Sequence, residues 1–166
     1  MWFFLRPIRF FISALIEDNT PNQMALGFAL GLTIGLVPKG NLIAIALMAI
    51  LGVIRVNLGV GMLTALAVSF LAGLFDPVTN GIGLTLLRAE SLVPWWTEFA
   101  QRPLAPWTKF NNTVVLGSLA MGLMLFMPAW LASRPVFAKY TPDWSERLKR
   151  TRLVQLLFGA EVTSRL

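Results

Sequence analysis

The chain contains no cysteine and no histidine. Those two absences together remove disulfides, thiolate nucleophiles, the usual zinc and haem ligands and the commonest general base. Charge is also scarce, at 13% of residues, where an ordinary soluble domain carries roughly a quarter. Hydrophobic residues fill the difference, at 56% of 166, which is the composition of a membrane chain rather than a water-soluble one. The few carboxylates are scattered and form no acid, base or metal set, so no enzymatic role, metal or cofactor is expected. Fourteen Lys and Arg outnumber eight Asp and Glu. In so apolar a chain this surplus belongs to flanks that meet anionic headgroups rather than to a nucleic-acid site.

One long apolar stretch, Pro21 to Asn57, is interrupted only by Pro38-Lys39-Gly40-Asn41. Its arms, Met24–Val37 and Leu42–Ile54, are each shorter than the roughly 20 helical residues needed to cross a hydrocarbon core. A broken hairpin follows, either re-entrant or fully spanning. The irregular backbone at 38–41 must then be covered by protein or line a wet cavity. Pro38 ends the first arm, and Asn41 can cap the second, leaving backbone N–H groups open beside Lys39. One reading makes Lys39, Gly40 and Asn41, with Arg55, an anion site for a lipid headgroup. The other makes this a plain hairpin tip from which Lys39 snorkels outward. In the first arm Gly27, Gly31 and Gly35 recur at every fourth position, with Ala25, Ala29 and Thr33 on an adjacent face. Such a ribbon lets another helix approach closely, either the returning arm or the next span.

Leu58–Phe75 is long enough for a tilted span. Asp76-Pro77-Val78-Thr79 then predicts a second break, with Asp76 as N-cap and Pro77 at the first helical position; a proton or cation site is the alternative role for Asp76. Arg88–Lys109 is the most polar internal segment, and Trp95, Trp96 and Trp107 place it at headgroup level, with partner docking as the competing role. Asn111–Leu131 gives one full span, with a close-packing face at Gly117, Ser118 and Gly122. Residues 1–20 predict an in-plane amphipathic anchor carrying Arg6 and Arg9, with a short helix packed against the bundle as the alternative, and 133–166 a basic tail with an amphipathic helix capped by Ser145. The expected fold is therefore an all-α integral membrane protein. Its core, 21–132, holds a broken or re-entrant hairpin with breaks at 38–41 and 76–79 plus about two full spans, and surface helices flank it at both ends. The basic ends predict that both termini are cytoplasmic.

A resemblance covers roughly residues 21–80. Pro21, Ala25-Leu26-Gly27-Phe28-Ala29, Gly31, Gly35, Pro38, Gly40, the Arg55-x-Asn57 pair and the x-Pro-x-Thr of Asp76–Thr79 resemble the core of the domain-of-unknown-function 2062 family of small bacterial inner-membrane proteins. That family more often has Asn where this chain has Asp76. The resemblance implies a multi-pass protein of the bacterial inner membrane. Its longer-chain branch is encoded beside a large periplasmic envelope protein and other relatives are joined to glycosyltransferases, which implies work near lipids or lipid-linked sugars. It supplies no catalytic residues. Two functions are expected to compete: handling or transport of an anionic lipid, phospholipid or polyprenyl phosphate, and anchoring of a periplasmic partner or a second copy.

Overall fold

The computed structural model describes residues 20–149, with side chains as far as Tyr140. The predicted anchor at 1–20 and the apolar half of the predicted tail helix, Leu153–Phe158, lie outside the described residues except for Thr20. The described chain is helical throughout, in the order α1 (Pro21–Leu36), α2 (Leu42–Val53), α3 (Leu58–Leu71), a 3-10 stretch (Ala72–Phe75), α4 (Asp76–Arg88), α5 (Val93–Ala100), α6 (Ala105–Thr108) and α7 (Thr113–Lys149).

Helix α1 starts on a capping box. The Thr20 hydroxyl accepts the Gln23 N–H while the Gln23 side chain accepts the Thr20 N–H, and Pro21 follows where its missing N–H costs nothing. This helix is the centre of the molecule, with α3 and α7 packed along it. The glycine ribbon explains how. A Cβ built on Gly27 would meet the Asn57 carbonyl, one on Gly31 the Gly61 carbonyl, and one on Gly35 the Val68 side chain. The partner of the ribbon is therefore the next span, α3, and the matched order along both helices makes them parallel. Helix α2 runs back alongside this pair as a short return. Leu47 and Leu51 of α2 join Leu30 and Ile34 of α1, Ala65 of α3 and Phe126 of α7 in the apolar core.

Helix α7 runs antiparallel to α1. Gly122 sits against Thr33, whose buried hydroxyl lies 3.0 Å from the Gly122 carbonyl and 3.1 Å from its own Ala29 carbonyl. Nearer the other end, the Trp130 indole donates to Asn22 at 2.9 Å. Above α1, α7 packs on α4 through a second glycine seam, Gly83 against Thr113 and Gly117 against Thr79.

Three expectations are corrected. There is no break at 76–79. The chain tightens into 3-10 geometry at 72–75 and passes straight into α4, so one 31-residue apolar helix runs from Leu58 to Arg88. Asp76 is already in right-handed helical geometry (φ −52°, ψ −41°), and no side chain caps the start of α4. Pro77 is tolerated because the Gly73 carbonyl, which its missing N–H would have met, accepts the Asp76 N–H in the 3-10 turn just before it. The tail does not separate at 132 either. Helix α7 continues through Pro135 and Pro142 to Lys149, so Ser145 lies inside a helix rather than at its start. Ala129, Ala132, Val136 and Phe137 continue the helix's apolar face past Phe28, and Phe137 meets Phe28 edge-on at 6.3 Å, so no signal stops it. The third correction concerns Arg55 and belongs to the site.

Two helices are long and apolar enough to cross a membrane, Leu58–Arg88 and Thr113–Tyr140. The hairpin α1–α2 does not match their length. Asn57 donates to Gln23 at one end of the α1–α3 pair, and Gly35 lies against Ala65–Ser69 at the other. The tip at 38–41 thus stands beside the middle of the long helix, roughly 16 Å along it from Asn57 at 1.5 Å per residue.

Candidate functional site

The site begins where α1 ends. Val37 leaves the helix in extended geometry, Pro38 cannot continue it, and Gly40 takes φ +83°, a left-handed value that glycine adopts without steric cost. Asn41 then holds the turn in both directions. Its side-chain oxygen accepts the Ala44 N–H at 2.9 Å, capping α2, while its amide nitrogen donates to the Pro38 carbonyl at 2.6 Å. At 3% exposure this residue is buried with its amide engaged on both sides, so its polarity is satisfied locally.

Lys39 turns backward. Its ammonium lies 2.6 Å from the Ile34 carbonyl, 2.8 Å from that of Val37 and 3.4 Å from that of Gly35. A cation seated on the orphan carbonyls of a helix C-terminus is favourable there and uses the donors that an anion would need. Lys39 therefore closes α1 instead of facing the start of α2. Arg55 is not part of this group at all. It follows α2, exposed, at the end opposite Asn41, about 18 Å away along a 12-residue helix. The arms are too short and too straight for the two cations to meet, which corrects the expectation that they act on one headgroup. Asp76 and Pro77 lie on the outward surface of the long helix, and the described residues hold one ion pair, Glu98–Arg102, which Asp76 does not join.

What covers the break is the segment after α4. The Trp96 indole donates to the Leu86 carbonyl at 3.0 Å, fixing α5 against the end of α4, and Phe110 stacks on Trp96 at 5.8 Å. From there α6 reaches α2: Ala105 is buried, and Pro106, Trp107 and Lys109 face Gly40, Asn41, Leu42 and Ile45 across a groove of about 550 Å³. Lys109 adopts a left-handed conformation (φ 54°, ψ 32°), the one such non-glycine among the described residues, and ends α6. Ala44 and Ile45 N–H groups are taken by Asn41, and the N–H groups of Leu42 and Ile43 have no protein acceptor among the described residues.

The structure thus brings Pro38, Lys39, Gly40 and Asn41 together, leaves Arg55, Asp76 and Pro77 elsewhere, and adds Trp107 and Lys109. Sequence reasoning took Lys109 only as the edge of a polar segment. Its flanking Trp107 and Phe110 mark an interfacial lysine, but nothing local says that this segment folds back onto the hairpin.

No family model matches the chain, and no solved structure does. A protein of Treponema pallidum (strain Nichols), described as an uncharacterized protein, is 26% identical over 152 residues, spanning 92% of this chain and 94% of its own. The likeness therefore runs through the hairpin, both long helices and the segment between them.

Proposed function

We propose that this chain is a multi-pass membrane protein that handles anionic lipid, with α1–α2 as a re-entrant hairpin and Leu58–Arg88 and Thr113–Tyr140 as the crossings. The observation that carries the reading is the hairpin tip, a capped turn held beside the middle of a crossing helix by glycine contacts. Irregular backbone at such depth belongs to proteins that admit polar groups into the membrane. The outward apolar surface supports the same reading. Only 17% and 28% of the most apolar windows of the two long helices are buried within the chain, so they are not core helices of a soluble domain, and a bilayer is the natural cover.

The reading assigns no catalytic residue. It keeps the resemblance to the domain-of-unknown-function 2062 family, a bacterial inner-membrane location and cytoplasmic termini as proposals. The competing function, an anchor for a periplasmic partner or a second copy, is favoured by one feature: Trp95, 56% exposed, stacks on Phe99 at 5.5 Å beside the exposed Glu98–Arg102 pair, a rigid aromatic patch on the segment between the crossings.

Two measurements test the proposal. In this naturally cysteine-free chain, single cysteines at Ser145 and Glu98 should label from opposite membrane faces; labelling of both from one face removes the two-crossing topology. Native mass spectrometry of the detergent-purified protein should show retained anionic phospholipid or polyprenyl phosphate. A lipid-free protein that retains a periplasmic partner makes it an anchor.

A further inference from the structure

We propose that the groove between the start of α2 and α6 is a binding site for an anionic phospholipid, an acyl chain lying on Leu42, Ile45, Pro106 and Trp107 with the phosphate at Lys109. This deepens the lipid-handling reading and rests on it. The groove's volume of about 550 Å³ falls in the range of sites that take organic ligands. Its walls are unfinished apolar surface: Ile45 is 60% exposed and Trp107 72% exposed. Exposed apolar side chains are common on this protein, and these are set apart by lining one trough together, which an acyl chain fills at about 0.8 kcal/mol per buried CH₂.

Charge selects the occupant. Lys109 is the only cation among the described residues that line the groove, it is exposed, and its ammonium has no carboxylate or carbonyl partner among the described residues. Lys39, next in sequence to the turn, is spent on α1 carbonyls, so it adds little to the attraction. A neutral hydrocarbon would leave the Lys109 charge unanswered, and a free inorganic anion would leave the trough empty. An amphiphile with a negative head answers both. The open Leu42 N–H on the same wall adds a donor without carrying the argument. Trp107 is suited to the boundary between head and chain, where an indole settles by preference.

The test uses the full chain in mild detergent, exposed to equal amounts of phosphatidylglycerol and phosphatidylcholine of identical chains, with bound lipid read by native mass spectrometry. Wild type should prefer phosphatidylglycerol by about fivefold, the effect of roughly one headgroup charge interaction. Lys109→Asn removes the charge yet suits the left-handed backbone, since Asn adopts that region readily, so it should bring the preference close to one without loss of thermal stability. Lys109→Arg should keep it. Trp107→Ala should lower occupancy of both lipids alike. Arg55→Glu, remote from the groove, should leave the preference within about a factor of two of wild type, as expected for a charge well beyond a Debye length.

Preference retained in Lys109→Asn, or lost equally in Arg55→Glu, overturns the groove site while the lipid-handling reading stands. Absence of any lipid on wild type overturns both. Millimolar inorganic phosphate that displaces phosphatidylglycerol would make the ligand a free anion and overturn the lipid assignment.

Discussion

Pro38 and Pro77 each interrupt an apolar helix, yet the chain reverses at the first and only tightens at the second. Both prolines withhold an N–H, so the proline is not what separates them. At the first, Gly40 supplies a positive φ, Asn41 binds forward to Ala44 and back to Pro38, and Lys39 closes the carbonyls left open by α1. Apart from the open N–H groups of Leu42 and Ile43, the orphan groups created by the reversal find partners within a few residues, which is what lets backbone leave helical geometry. At the second, no side chain caps α4 and the backbone stays right-handed, so the ladder is pinched into 3-10 turns rather than opened. In an apolar chain a proline marks where a helix can end, and the polar side chains around it decide whether it does.

The largest effect expected comes from separating the seams that hold each point in place. Gly31→Leu and Gly117→Leu put a side chain where a Cβ already meets the Gly61 or the Thr79 carbonyl. Backbone cannot yield as a side-chain tip does, so each should cost roughly 3 kcal/mol or more, about 10 °C in thermal midpoint, with loss of monodispersity. A well-behaved Gly31→Leu protein of unchanged midpoint would mean that the hairpin is not held at its depth by α3.

Asn41→Ala comes next, because it strips the α2 cap and the Pro38 carbonyl at once; about 2 kcal/mol is expected in detergent unfolding. Gly40→Ala should cost about 1 kcal/mol from the left-handed backbone alone, since a Cβ there meets nothing within 4 Å, and Gly40→Asn should recover part of that loss. Smallest is Asp76→Ala, within about 0.5 kcal/mol, as for an exposed surface position. If it matched Asn41→Ala, the second point would be a capped break after all, and the contrast between the two prolines would collapse.

The elements legible beforehand were those whose cause is local. The four-residue glycine spacing marks a close-packing face wherever the chain goes, and Pro-x-Gly-Asn carries its own turn chemistry. What needed the fold was the choice of partner. Both α2 and α3 are apolar enough to meet the ribbon, and only chain geometry assigns it to α3. Lys39 looked forward to α2 because a helix start attracts anions, yet the helix end it has just left holds nearer carbonyls, at 2.6 and 2.8 Å. Lys109 was invisible for a different reason: it reaches the hairpin by a fold-back onto α2 that leaves no periodic trace in 89–112. Asp76-Pro77 looked like a helix start, and α4 does begin there, but a start can also be a continuation when the preceding residues remain helical.

The half-length hairpin also gives the molecule two unequal ends. Among the described residues, the cross-section at the level of Gln23 and Asn57 contains α1, α2, α3 and α7, whereas beyond the hairpin tip it contains α4 and α7, joined by α5 and α6. On the proposed membrane reading one leaflet accommodates four helices and the other about two. Among the described residues such a taper leaves more room for lipid around the crossings on the narrow side of the membrane than on the wide side.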